Sequence, residues 1–117
     1  EFPSLDPENT TGRLGFYELA GAYYLSYDAT TKNEDPAKPF LDVIEKGNLS
    51  GDQIQEAWYM AAYSLINGED FNSRLVTEYL EKAYAVNPTG KNAGKILTNL
   101  QQMKRFVELE EEEGTAE

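Results

Sequence analysis

Trp58-Tyr59-Met60-Ala61-Ala62-Tyr63-Ser64-Leu65-Ile66 decides the fold, because it repeats an earlier stretch, Phe16-Tyr17-Glu18-Leu19-Ala20-Gly21-Ala22-Tyr23-Tyr24. In each, an aromatic is followed by Tyr, then small residues three or four positions on, then a large apolar residue. That spacing suits helices that pair closely: small residues let two backbones approach, and large ones fill the gaps beside them.

Working outward, apolar residues recur at helical spacing in five blocks. The first covers Thr11–Tyr27, with Leu14, Phe16, Tyr17, Leu19, Ala20, Tyr23, Tyr24 and Tyr27, and Asn9 or Thr10 as N-cap. The polar stretch Asp28–Pro36 breaks it, and Pro36 suits the first turn of a second helix carrying Phe40, Leu41, Val43 and Ile44. Gly47 is a left-handed stop. Ser50 or Asp52 caps the third helix, which ends at Asn67-Gly68; the fourth runs from near Asn72 to Asn87-Pro88. A fifth begins near Lys91 and carries Ala93, Ile96, Leu97, Leu100, Met103 and Val107. No block alternates with the period of a strand, so the expected class is all-α. Two arrangements satisfy these blocks: an ordinary bundle, or a stack of helix-turn-helix repeats.

The repeated segment resembles the tetratricopeptide repeat, a helix-turn-helix unit of about 34 residues. Phe16, Leu19, Ala20 and Tyr23 match its first-helix pattern of aromatic, Leu, small residue and Tyr; Trp58, Ala61, Ala62 and Leu65 match it again. Tyr79-Leu-Glu-Lys-Ala83-Tyr-Ala-Val-Asn-Pro88 is similar to the family's closing segment, and Leu97 takes the Leu position of a third unit. The spacing from Phe16 to Trp58 exceeds the standard repeat, with surplus chain in the 27–36 loop and around Gly47–Gly51. Ile44 stands where the family has Ala. The resemblance covers roughly residues 11–105 and implies about two and a half units, five antiparallel helices, in a right-handed superhelical stack.

It also implies a site. First helices of such units line a concave groove, and carried over residue by residue that groove takes Leu14, Tyr17, Gly21, Tyr24 and Leu25 from unit one. Glu56, Tyr59, Tyr63, Ile66 and Asn67 follow from unit two, and Asn92, Lys95, Asn99, Gln102 and Met103 from the last helix. The expected peptide-binding set is Tyr17, Tyr24, Tyr59, Tyr63, Asn67, Lys95, Asn99 and Gln102. Tyr offers rigid contact area with a hydroxyl, and Asn and Gln pair with peptide backbones. Against this stands the commoner role of helically spaced aromatics, which is filling a core; Tyr23 and Trp58 are assigned to packing. The chaperone-binding subfamily grips a C-terminal carboxylate with Lys, Asn and Arg, but those places hold Tyr17, Gly21, Met60, Asn92 and Ile96 here. Carboxylate capture of that kind is not expected.

Composition narrows the function further. The 117 residues include no Cys and no His, which removes disulfides, thiolate nucleophiles, Ser-His-Asp triads and ordinary zinc sites. No stretch approaches the roughly 18 apolar residues of a membrane span. The formal charge of −11 argues against a nucleic-acid partner. Most of that charge sits at the ends: residues 1–9 and 108–117 hold three and six acidic groups and no basic one, leaving 12 against 10 in the 10–107 body. The first nine residues read as an extended lead-in and 108–117 as an acidic, fraying helix end.

No catalytic constellation emerges. Glu34-Asp35 and Glu69-Asp70 read as loop formers, and Gly12-Arg-Leu-Gly15 lacks the Lys-Ser/Thr ending of a phosphate loop. The expectation is therefore a non-catalytic interaction module without cofactor or metal, part of a larger protein, whose partner is a protein or peptide. The competing expectation is a self-association or spacer domain using Met103, Phe106 and Val107 on the last helix, giving a homo-oligomer. A Cys-free chain suits either side of a membrane, so the compartment stays open, with the cytoplasm as default.

Overall fold

Local signals start and stop most of the helices where the chain turns. The computed structural model describes residues 13–66 and 72–116, which form five α-helices and no strand. They are α1 (Arg13–Thr31), α2 (Lys38–Lys46), α3 (Gly51–Ile66), α4 (Ser73–Val86) and α5 (Ala93–Ala116). The class is all-α, as expected. The proposed caps Asn9 and Thr10, the Asn67-Gly68 stop, the Glu69-Asp70 pair and the lead-in lie outside the described residues.

Gly47 closes α2 in the left-handed region, φ 82°, and its N–H donates to the Ile44 carbonyl at 3.2 Å. Ser50 caps α3 reciprocally with Gln53. The Ser50 N–H donates to Gln53 Oε1 at 2.9 Å, and the Gln53 N–H donates to Ser50 Oγ at 3.4 Å. Asn72 caps α4, its Oδ1 accepting from the Leu75 N–H at 3.1 Å.

Three boundaries differ from the sequence reading. α1 runs to Thr31 rather than Tyr27, because Ala29 is buried and Asp28 pairs with Lys32 one turn on. Pro36 sits in the preceding turn, where its carbonyl accepts from Ser26 Oγ at 2.6 Å; the proline in the first turn of α2 is Pro39. α5 continues as helix through the acidic run to Ala116, where the sequence reads a fraying end. Glu110 accepts a hydrogen bond from Ser73 Oγ, and Glu111 meets Arg74 at 2.8 Å. Both carboxylates therefore meet the positive, N-terminal end of α4.

Each helix packs on the next in sequence, and α1 also touches α3. α3 and α4 make the closest pair because Ala57, Ala61, Ala62 and Ala83, all fully buried, allow their backbones together. Phe40, Val76, Leu80 and Ile96 fill the remaining volume. Full burial of such a side chain contributes about 1.5–3 kcal/mol. The shortest dimension is 18 Å, about two helix diameters. So thin a body leaves α1 covered on one side only by the described helices.

Candidate aromatic groove

Half of the expected binding set comes together at the α3–α5 contact. Tyr59 is half-buried against the core, with the ring of Tyr63 at 6.3 Å and Lys95 Nζ 5.0 Å above its own ring. Asn99 Nδ2 donates to the Tyr59 hydroxyl at 3.2 Å and to the Lys95 carbonyl at 2.9 Å. Helical spacing places these four together: Tyr59 and Tyr63 are one turn apart on α3, as are Lys95 and Asn99 on α5. Gln102 is exposed one turn beyond Asn99. Asn67 lies outside the described residues. Tyr17 and Tyr24 stand on α1, where Tyr17 meets Phe16 edge-on at 5.6 Å and Tyr24 is 77% exposed.

A second aromatic surface lies between α1 and α3, and the sequence reading missed it. Tyr23, assigned to packing, is 59% exposed and meets the core ring of Phe40 edge-on, 6.3 Å away. Phe16 and Tyr27 are exposed beside it, and so is Ala20, which the repeat alignment would bury. Only Leu19 of the matched set Phe16, Leu19, Ala20 and Tyr23 is buried, because among the described elements α1 packs chiefly on α2 and α3. In the second aromatic stretch Ala61 and Ala62 are buried, and Trp58, also assigned to packing, does pack, on Tyr79 at 5.6 Å under Lys82.

Two adjoining clefts open on this surface. One, of about 320 Å³, is lined by Phe16, Leu19, Ala20, Tyr23, Glu56 and Met60. The other, about 180 Å³, continues past Tyr23 and Met60 to Tyr27, Phe40 and Tyr63. Among the described residues, Glu56 is the one charged residue lining either cleft. The sequence did carry a signal for this face. Phe16, Tyr23 and Tyr27 form a second apolar stripe next to Leu19, Ala22 and Ala29, so α1 is apolar over far more than a single core-facing strip.

One family model, TP_0391_C, described as an uncharacterised protein C-terminal domain, matches residues 14–109, from the first turn of α1 into the acidic end of α5. No curated protein and no solved structure matches the chain.

Proposed function

The chain belongs to this C-terminal-domain family, and we propose that the domain is a non-catalytic protein-interaction module of tetratricopeptide type that binds a peptide or protein segment. One observation carries the reading: Phe16, Tyr23, Tyr27 and Tyr63, each at least 50% exposed, line joined clefts between α1 and α3. Large aromatic side chains left in water beside a preformed cleft mark interaction sites. The Tyr59, Lys95 and Asn99 cluster extends the surface toward α5, since Tyr63 lines the cleft and also stacks near Tyr59.

The order of packing supports the repeat reading. Helix-turn-helix stacks place each helix on its sequence neighbour and bring successive first helices together, which is the relation of α1 to α3. A non-catalytic role fits the cleft linings, which among the described residues offer one carboxylate, Glu56, and no Lys, Arg or second carboxylate beside it.

Peptides selected on the intact chain from a random display library test the function. Their titration should shift the amides of Tyr23, Met60 and Tyr63, and Tyr23→Ser with Tyr63→Ser should abolish binding at unchanged helicity. Failure to select any peptide, or binding that survives both substitutions, removes the groove.

A second reading has its own support. Phe106 and Leu109 on α5 are 43% and 46% exposed, an apolar edge suited to self-association. It requires a mass that rises with concentration in light scattering and returns to the monomer in Leu109→Lys.

A further inference from the structure

The partner's chemistry is written on the cleft. α3 projects aromatic rings on more than one flank, and two of them are already covered by cations from neighbouring helices. Lys82 lies 4.8 Å from the Trp58 ring centroid, and Lys95 lies 5.0 Å from that of Tyr59. On the α1 flank, Phe16 and Tyr23 are exposed, and no described side chain places a cation on either ring. An anion is present there instead. Glu56 lines the cleft beside Phe16, Tyr23 and Met60 and forms no ion pair with any described residue.

Among the described side chains of α1 and α3, the other charges have the same sign. The charged side chains described on α1 and α3 are Glu18, Asp28, Asp52 and Glu56, and neither helix shows a described Lys or Arg side chain. A carboxylate set beside π faces, as Glu56 is, repels acidic segments and attracts basic ones. A neutral apolar peptide would fill the aromatic cleft but leave Glu56 desolvated without a partner, at a cost.

We propose that the α1–α3 cleft takes a cationic side chain, Arg or Lys, from a basic peptide segment in which apolar residues flank that cation. The aliphatic stem lies along Leu19 and Met60, the charged head rests on the face of Phe16 or Tyr23, and Glu56 supplies the counter-charge. Arg suits the site better than Lys, because a planar guanidinium stacks on a ring and bonds a carboxylate at the same time. The flanking apolar residues occupy the smaller cleft between Tyr27, Phe40 and Tyr63. This inference rests on the interaction-module reading and adds the sign and class of the ligand.

The test uses the same random peptide library on the intact chain, on Glu56→Gln, and on a Glu111→Gln/Glu112→Gln variant that removes acidic charge from α5. Glu56 is exposed and makes no described bond, so the first variant is expected to keep its helicity. Peptides selected on the intact chain should be enriched in Arg or Lys next to apolar residues. Their affinity should fall about tenfold in Glu56→Gln and stay within about twofold in the α5 variant. Amide shifts should centre on Phe16, Tyr23 and Met60. Selection of neutral or acidic peptides that shift those same amides overturns the cation while leaving the groove standing. Basic peptides that respond to the α5 variant and not to Glu56→Gln overturn it too, because they bind the acidic helix end. A mass that doubles with concentration and reverts in Tyr23→Ser overturns it in favour of a second copy on this face. No selected peptide at all removes the interaction-module reading itself.

Discussion

Gln55, fully buried on α3, donates its side-chain amide to the carbonyl of Asn87 at 3.0 Å and to that of Ala83 at 2.9 Å. The last carbonyls of a helix lack intrahelical partners, so this amide serves the end of α4 from inside the core. Its own Oε1 is buried with no hydrogen-bond partner, which offsets part of the gain. Gln55→Leu keeps the volume and removes both donors, with an expected loss of about 1–3 kcal/mol. Gln55→Ala adds a cavity, and about 2–5 kcal/mol is expected. Both are read as a lowered urea midpoint at unchanged slope. A Leu variant as stable as the parent would show that these carbonyls do not depend on Gln55.

Gly15 fixes how α1 approaches the start of α3. A Cβ there would stand 2.0 Å from Gln53 Oε1 and 3.0 Å from the Asn48 carbonyl. Gln53 cannot simply swing aside, because that oxygen accepts the Ser50 N–H and completes the cap of α3. Gly15→Ala is therefore expected to cost about 1–3 kcal/mol through overpacking and loss of the cap. Adding Gln53→Ala should recover part of that loss, since the two changes share one contact. Additive losses in the double-mutant cycle would place the strain elsewhere.

What the sequence made legible follows from how local each signal is. Gly47, Ser50 and Asn72 act on backbone groups within four residues, so composition alone placed those helix ends. Apolar spacing placed all five helices for the same reason. Tyr23 shows where locality stops: its i, i+4 and i+7 neighbours mark a helix, but whether it is core or surface depends on how many helices flank α1. Tyr59 and Asn99 are far apart in sequence and meet only once α3 and α5 are packed. The reach of α5 was hidden by like charge, which reads as fraying until Ser73 and Arg74 are seen opposite Glu110 and Glu111.

That contact is expected to hold the end of α5 more than the whole fold. Glu110 serves as an anion at the N-terminal turn of α4, an arrangement that contributes about 0.3–1 kcal/mol. Arg74 and Glu111 are both more than half exposed, and such pairs contribute about 0–1 kcal/mol. Glu110→Gln with Glu111→Gln should thus leave the urea midpoint nearly unchanged. Amide hydrogen exchange should meanwhile speed up beyond Val107 and at the first turn of α4. High salt should do the same to the parent chain, because the contact is charged. Unchanged exchange rates in the variant would mean that α5 holds its end without α4.

Alkaline pH singles out Tyr79. Burial pushes its phenol above the usual value of 10.0, and the Asp35 and Glu78 carboxylates add to the shift. The folded chain therefore keeps this proton to higher pH than the unfolded chain does. Its contribution is fully present below the unfolded value and is lost as pH rises from there through the folded value. Lys32 and Lys38 lose charge in the same alkaline range, since hydrogen bonds to Asp28 and Asp42 hold their ammonium groups above 10.5. Comparison with Tyr79→Phe separates the phenol from these lysines. The variant should match the parent from neutral pH to about pH 9 and exceed it at about pH 11, where the parent must bury a phenolate or bind a proton. Thermal melts of both chains across that range give the answer, and parallel curves would show that Tyr79 titrates no differently in the fold than out of it.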